Sequence, residues 1–156
     1  MAKAFASGRF IPKNPQKYVG KSANQIMFRS SWELAFMKWL DSNNAVLRWG
    51  SEELAIPYVS PLDGRVHRYF PDMVIMYLNT AGVVCKEIIE IKPHAQSVAK
   101  PRMSDRDAAA LLVNKAKWEY AADWAERNGA KFRVITEKTM FLNKSSINKK
   151  KVGTSV

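Results

Sequence analysis

Four side chains in this sequence have the types and spacing to build a divalent-cation site, three carboxylates to hold the ion and one ammonium beside them. Asp72 follows Pro71 at the head of an apolar run, Met73 to Leu78. Glu90 and Lys92 close a second run that starts at Val83, and the polar turn Asn79-Thr80-Ala81-Gly82 lies between the two. Two runs of strand-forming residues around a short turn predict a hairpin. Side chains alternate along a strand, so Glu90 and Lys92 share a face while Ile89 and Ile91 point into the opposite layer. Asp72 opens the partner strand, where it can lie beside Glu90. Charge on so apolar a ribbon is costly unless something binds there, and hard carboxylate oxygens suit a divalent cation. Glu33 is the fourth. Ser30-x-x-Glu33 reads as a capping box at a helix start, and a helix start that faces the end of the hairpin adds Glu33 to the site.

The remaining elements must bring these residues together. A helix is predicted from Ser30 or Ser31, with apolar positions at Trp32, Ala35, Phe36, Trp39 and Leu40, ending near Asp41. Val46 to Trp49 and Leu54 to Val59 read as strands, the latter at an edge or bulge because of Pro57. Pro61 to Gly64 is a turn, and Val66 to Phe70 leads into the hairpin. Pro93 stops the second hairpin strand, and residues 93–103 form a loop. A long helix from about Ser104 to Asn128 carries Leu111, Leu112, Trp118, Ala121, Ala122 and Ala125, with Gly129 as its C-terminal cap. Phe132 to Thr136 is a last strand. Trp32, Trp39, Trp118 and Trp124 belong to the core. The order implies one α/β domain, a mixed central β-sheet flanked by helices.

Charge divides the chain into three parts. The 156 residues carry a net charge of +11. Residues 1–30 hold six bases (Lys3, Arg9, Lys13, Lys17, Lys21, Arg29) and no acid. Residues 138–156 hold five (Lys138, Lys144, Lys149, Lys150, Lys151) and no acid. Residues 31–137 balance fourteen bases against fourteen acids, so the two ends account for the whole excess. This predicts a basic N-terminal arm over residues 1–28, a folded domain over 29–142 and a basic tail over 143–156. Acid-free ends on a neutral globule point to a polyanion held by counterion release, and we read that polyanion as nucleic acid. The single cysteine, Cys85, excludes an intrachain disulfide and fits a reducing compartment. No stretch reads as a signal peptide or a membrane span.

An acid on the first helix, Pro-Asp on a strand and Glu-x-Lys ending the next strand together resemble the PD-(D/E)xK nuclease superfamily. The resemblance spans residues 28–136. Ile56-Pro-Tyr, Asp63-Gly-Arg, His67-Arg-Tyr-Phe-Pro-Asp, Glu90-Ile-Lys-Pro, Lys117-Trp118 and Val134-Ile-Thr-Glu make the chain most similar to the small nucleases of the tailed-phage head completion family. It is also similar to the endonuclease subunit of heteromeric transposases.

That resemblance implies a restriction-endonuclease-like core and Mg²⁺-dependent phosphodiester hydrolysis, with Mn²⁺ able to substitute. It implies metal ligation by Asp72, Glu90, the Ile91 carbonyl and Glu33, the last directly or through water, with Lys92 orienting the attacking water or holding the phosphate. The products would carry a 5′-phosphate and a 3′-hydroxyl.

For DNA contact the sequence offers Lys117, Arg68, Lys13, Lys17, Lys21, Arg29, Lys149, Lys150 and Lys151. Glu52-Glu53 reads as a solvated loop pair, and His67 and His94 as ordinary strand and loop residues. The function implied is the processing of double-stranded, branched or frayed DNA ends during head completion in the host cytoplasm. Portal or neck proteins would be partners, and incorporation in the virion a consequence. A transposon-end or junction nuclease would use the same chemistry. A non-enzymatic DNA-binding head or neck protein would not, and the intact set Glu33, Asp72, Glu90 and Lys92 argues against it.

Overall fold

The computed structural model describes residues 7–20 and 23–139. In chain order the elements are β1 (Gly8–Arg9), β2 (Met27–Phe28), α1 (Ser31–Ser42), β3 (Val46–Ser51), β4 (Ile56–Val59), β5 (Val66–Tyr69), β6 (Met73–Leu78), β7 (Val84–Ile91), α2 (Asp105–Arg127) and β8 (Lys131–Ile135). The central sheet has the order β3-β6-β7-β8. Its first two pairings are antiparallel and β7–β8 is parallel, with α2 as the crossover. This is the mixed sheet with flanking helices that the element order predicts.

Alternation along β6 and β7 builds two cores. Met73, Ile75, Ile89 and Ile91 face one way and join Phe36, Met37 and Leu40 of α1. Val74 and Ile88 face the other way and meet Ala121 and Ala125 of α2, with Ile56, Tyr58 and Tyr69. Both helices begin on a serine. The Ser30 hydroxyl accepts the Glu33 N–H at 3.1 Å, and the Ser104 hydroxyl accepts the Asp107 N–H at 3.1 Å, each satisfying an amide the helix cannot. Helix α2 ends as Gly129 predicts. That residue takes φ of +71°, and the Ala130 N–H reaches back to the Ala125 carbonyl at 2.8 Å.

Three expectations need correction. The described residues before α1, 7–20 and 23–30, pack against the domain and do not stand off as an arm. Phe10 and Ile26 are buried in the α1-side core, β1 pairs with β2, and Asp41 accepts the backbone N–H groups of Lys13 and Asn14 at 2.8 and 3.0 Å. The apolar residues in this stretch are spaced irregularly, so periodicity does not reveal them. Second, β5 does not run into the central sheet. It pairs with β4 as a separate ribbon, which is why Pro57 is tolerated at an edge. Third, Leu112 and Ala122 of α2 face solvent, and only Leu111, Ala121 and Ala125 are buried.

The docked N-terminal segment gives a measurable expectation. Phe10→Ala removes a core ring, so urea denaturation should show a loss of about 3 kcal/mol. A change below about 0.5 kcal/mol, the usual effect at an exposed position, would restore the free arm.

Candidate active site

The site forms where the β6–β7 ladder stops. Met73 opposite Ile89 is the last pair. The same register continued would set Asp72 opposite Glu90 and Pro71 opposite Ile91. Proline has no N–H to give, and here a side chain replaces the ladder: Oδ2 of Asp72 accepts the Ile91 N–H at 2.7 Å. Beside it the Tyr69 hydroxyl donates to Glu90 Oε1 at 2.7 Å, and the Lys92 ammonium lies 3.4 Å from Glu90 Oε2. Glu90 and Lys92 thus share a face, as strand alternation predicts. Glu33 arrives from α1, and its Oε1 accepts the Arg29 N–H at 3.2 Å. Only half of the capping box forms: the carboxylate accepts from the residue before the N-cap Ser30, and it also faces Asp72.

A further carboxylate is present that the sequence reading set aside. Glu52 is not part of a solvated pair. It follows β3, its N–H donates to the Asp72 carbonyl at 3.1 Å, and its φ is +55°, the one left-handed non-glycine residue among those described. One oxygen each from Glu33, Glu52 and Asp72 lie within 4.8 Å of one another. A cation with oxygen ligands at roughly 2.1–2.6 Å sets its ligand oxygens up to roughly 4.2–5.2 Å apart, so this group fits one ion. Glu53 is engaged as well, accepting the Tyr18 hydroxyl at 2.8 Å. The sequence signal for Glu52 is only an acid just past a strand, and nothing local says that β3 is the strand beside Asp72.

Packing these acids together shifts the titration of Asp72 and Glu33. Burial, then Glu90, pushes the Asp72 carboxyl up to about 8 against the pull of the Ile91 N–H and Lys92. Burial also raises Glu33, and Glu52 and Glu90 add to it. Tyr69 is held far above its usual value by burial and by Glu90, so it stays a hydrogen-bond donor. Such mutual repulsion is what a bound cation relieves.

The cationic residues divide. Lys117 of α2 lies 5.6 and 5.8 Å from the ring centroids of Tyr69 and Tyr58. Burial and then Lys92 lower its pKa, while Glu90 raises it, which puts it on the Glu90–Lys92 side of the site. Lys17 does not face a ligand. Its ammonium caps α1, reaching the carbonyls of Leu40, Asp41 and Asn43 at 2.7, 3.0 and 2.9 Å. The helix C-terminus attracts a cation for the same reason DNA would. Arg68 lies on the exposed outer face of the β4–β5 ribbon, over the Phe70 ring at 5.5 Å. Lys13 has an exposed side chain, and Arg29 pairs with Glu52. Lys21, Lys149, Lys150 and Lys151 lie outside the described residues.

Residues 43–137 match the sequence model of the TnsA-like endonuclease N-terminal family. The chain belongs to this family. The match covers β3 to β8 and α2 and includes Glu52, Asp72, Glu90 and Lys92; Glu33 lies before it. The chain is also 38% identical over 142 residues to the head completion nuclease of Enterobacteria phage T4, covering 84% of this chain and 91% of that protein. No solved structure matches. As a TnsA-like endonuclease the protein is a phosphodiester hydrolase of the PD-(D/E)xK type, a class that uses divalent metals. Among the described residues no helix is long and apolar enough to cross a membrane.

The raised Asp72 pKa sets a pH dependence. In the unfolded chain this carboxyl ionises near its ordinary value of 3.8, and in the folded metal-free protein only near 8. Between those values the folded state holds the extra proton, so stability falls as pH rises. In EDTA, the melting temperature of wild type relative to Asp72→Asn should fall progressively from about pH 4 to pH 8, and Mn²⁺ should restore it most at the alkaline end. A difference constant across that range would contradict the crowded-carboxylate reading.

Proposed function

We propose that this protein is a Mg²⁺-dependent DNA endonuclease that processes DNA ends during phage head completion, with Mn²⁺ able to replace Mg²⁺. The observation that carries the chemistry is the convergence of Glu33, Glu52 and Asp72 oxygens beside the Glu90–Lys92 pair. The likeness to a phage head completion nuclease over nearly its whole length supports the biological setting. It favours that setting over transposon-end cutting.

Asp72, Glu90 and Glu33 would hold the cation, with the Ile91 carbonyl as a further ligand. The Ile91 N–H points at Asp72, and in extended backbone a residue's N–H and C=O point to the same side. The ion supplies Lewis acidity toward the phosphoryl oxygens when bound. The chain's own contribution is positional. Tyr69 fixes the rotamer of Glu90, and Glu90 fixes Lys92 where its ammonium can orient a water in line with the scissile phosphorus. The water oxygen bonds to phosphorus and gives up a proton to solvent, the bond from phosphorus to the 3′ oxygen breaks, and that oxygen takes up a proton from solvent as it leaves. The products are a 5′-phosphate and a 3′-hydroxyl.

Lys117, half-buried against two tyrosine rings, would meet a phosphate near Lys92. Arg29, Arg68, Lys13, Lys21 and the lysines at 149–151 would grip backbone phosphates more loosely. Branched or frayed duplex is the preferred substrate in this reading, portal or neck proteins are partners, and the protein acts in the host cytoplasm and enters the virion.

Incubating purified protein with duplex, flapped and single-stranded DNA, in Mg²⁺ and in EDTA, tests the reading. Cutting should require the metal and should fall by ~10³-fold or more in Asp72→Ala and Glu90→Ala. Salt-sensitive binding with no cutting under any metal would leave a structural DNA-binding protein instead. Removing residues 138–156 takes away five lysines. It should weaken DNA binding and lower the slope of log affinity against log salt by up to about 4, with cutting retained. An unchanged slope would remove the tail from the interface.

A further inference from the structure

Arg29 stands where metal and substrate would meet. Glu52 contributes an oxygen to the group with Glu33 and Asp72, yet both its oxygens are held. Arg29 Nε meets Oε2 at 2.8 Å and Nη2 meets Oε1 at 2.9 Å. The backbone N–H of the same arginine donates to Glu33. One residue therefore occupies acceptors on two of the three clustered acids. A two-point guanidinium–carboxylate grip is geometrically specific, but the Arg29 side chain is 68% exposed, and an ion pair in contact with water exchanges readily. A divalent cation arriving at Glu33 and Asp72 competes for the same oxygens with twice the charge.

The backbone adds a second observation. Glu52 sits at φ +55°, where glycine would sit without strain. A glutamate kept in that conformation costs stability, and strain of this kind gathers at functional sites. A purely structural ion pair on the surface does not call for it.

We propose that Glu52 is shared between two cations. Without metal it holds Arg29; with metal it turns to the ion, and the released guanidinium takes a DNA phosphate. Metal and DNA then strengthen each other's binding by the same factor. This rests on the metal-dependent DNA endonuclease reading and adds to it a coupling residue, Arg29, and a metal-side acid, Glu52.

Mn²⁺ titration by calorimetry of the full chain without DNA, and DNA binding in EDTA, test the exchange. Arg29→Gln should bind Mn²⁺ several-fold more tightly, because its competitor is gone. Glu52→Gln and Glu52→Gly should bind it about tenfold more weakly. Glu52→Gly should also melt at or above the wild-type temperature, which separates lost ligation from lost folding. In EDTA, Glu52→Gln should bind duplex DNA more tightly than wild type, and the gain should vanish in the Arg29→Gln background. Mn²⁺ affinities within twofold of wild type in all three variants, with wild type itself binding and cutting, would overturn the exchange alone. Wild type that neither binds Mn²⁺ nor cuts would overturn the endonuclease reading and the exchange with it.

Discussion

The hydrogen bond from the Ile91 amide to the Asp72 carboxylate is the hinge of this structure. It sits where two antiparallel strands would otherwise stay zipped, and it lets them part without leaving the Ile91 amide unpaired. Parting the strands is what makes room for a reacting group. The same bond fixes Asp72 at the mouth of the opening, opposite Glu90 in the continued register. Pro71, fully buried and unable to donate, keeps the ladder from resuming one residue earlier. A two-residue sequence, proline then aspartate, is thus both the stop signal of a sheet and the first acid of a site.

The rest of the fold holds parts around that opening. Helix α1 brings Glu33 from one face of the sheet; α2 and the β4–β5 ribbon bring Lys117 and Tyr69 from the other. The N-terminal segment locks α1 in place through Asp41 and Lys17 at the end opposite Glu33. That division explains why basic residues early in the chain serve different ends. Lys17 neutralises a helix terminus, while Arg29, at the other end of the same helix, lies against acids of the site.

Much of this was legible in the residues. The hairpin, the capped helices, the Gly129 stop and the shared face of Glu90 and Lys92 all follow from short-range rules: alternation, capping and turn chemistry. Glu33 and Asp72 share one oxygen cluster, and the Glu90–Lys92 pair lies beside it. What escaped was set by tertiary neighbours. Glu52 looks like any acid after a strand until β3 is known to lie beside β6. Phe10 and Ile26 look like isolated apolar residues until α1 covers them. Lys17 counts as a mobile charge until three carbonyls surround it. Charge composition is blind to such partners, and it overstated the free positive charge near the N-terminus.

The hairpin's closed end is the counterpart of its open one. Asn79 ties the turn to itself, its side chain accepting the N–H groups of Ala81 and Val83 at 2.9 and 3.0 Å, and residues 79–83 are exposed throughout. From there to Asp72 is six strand residues, roughly 20 Å. A fluorophore, a surface linker or an inserted passenger domain attached at this tip would hang from the protein without disturbing the corner where the carboxylates gather.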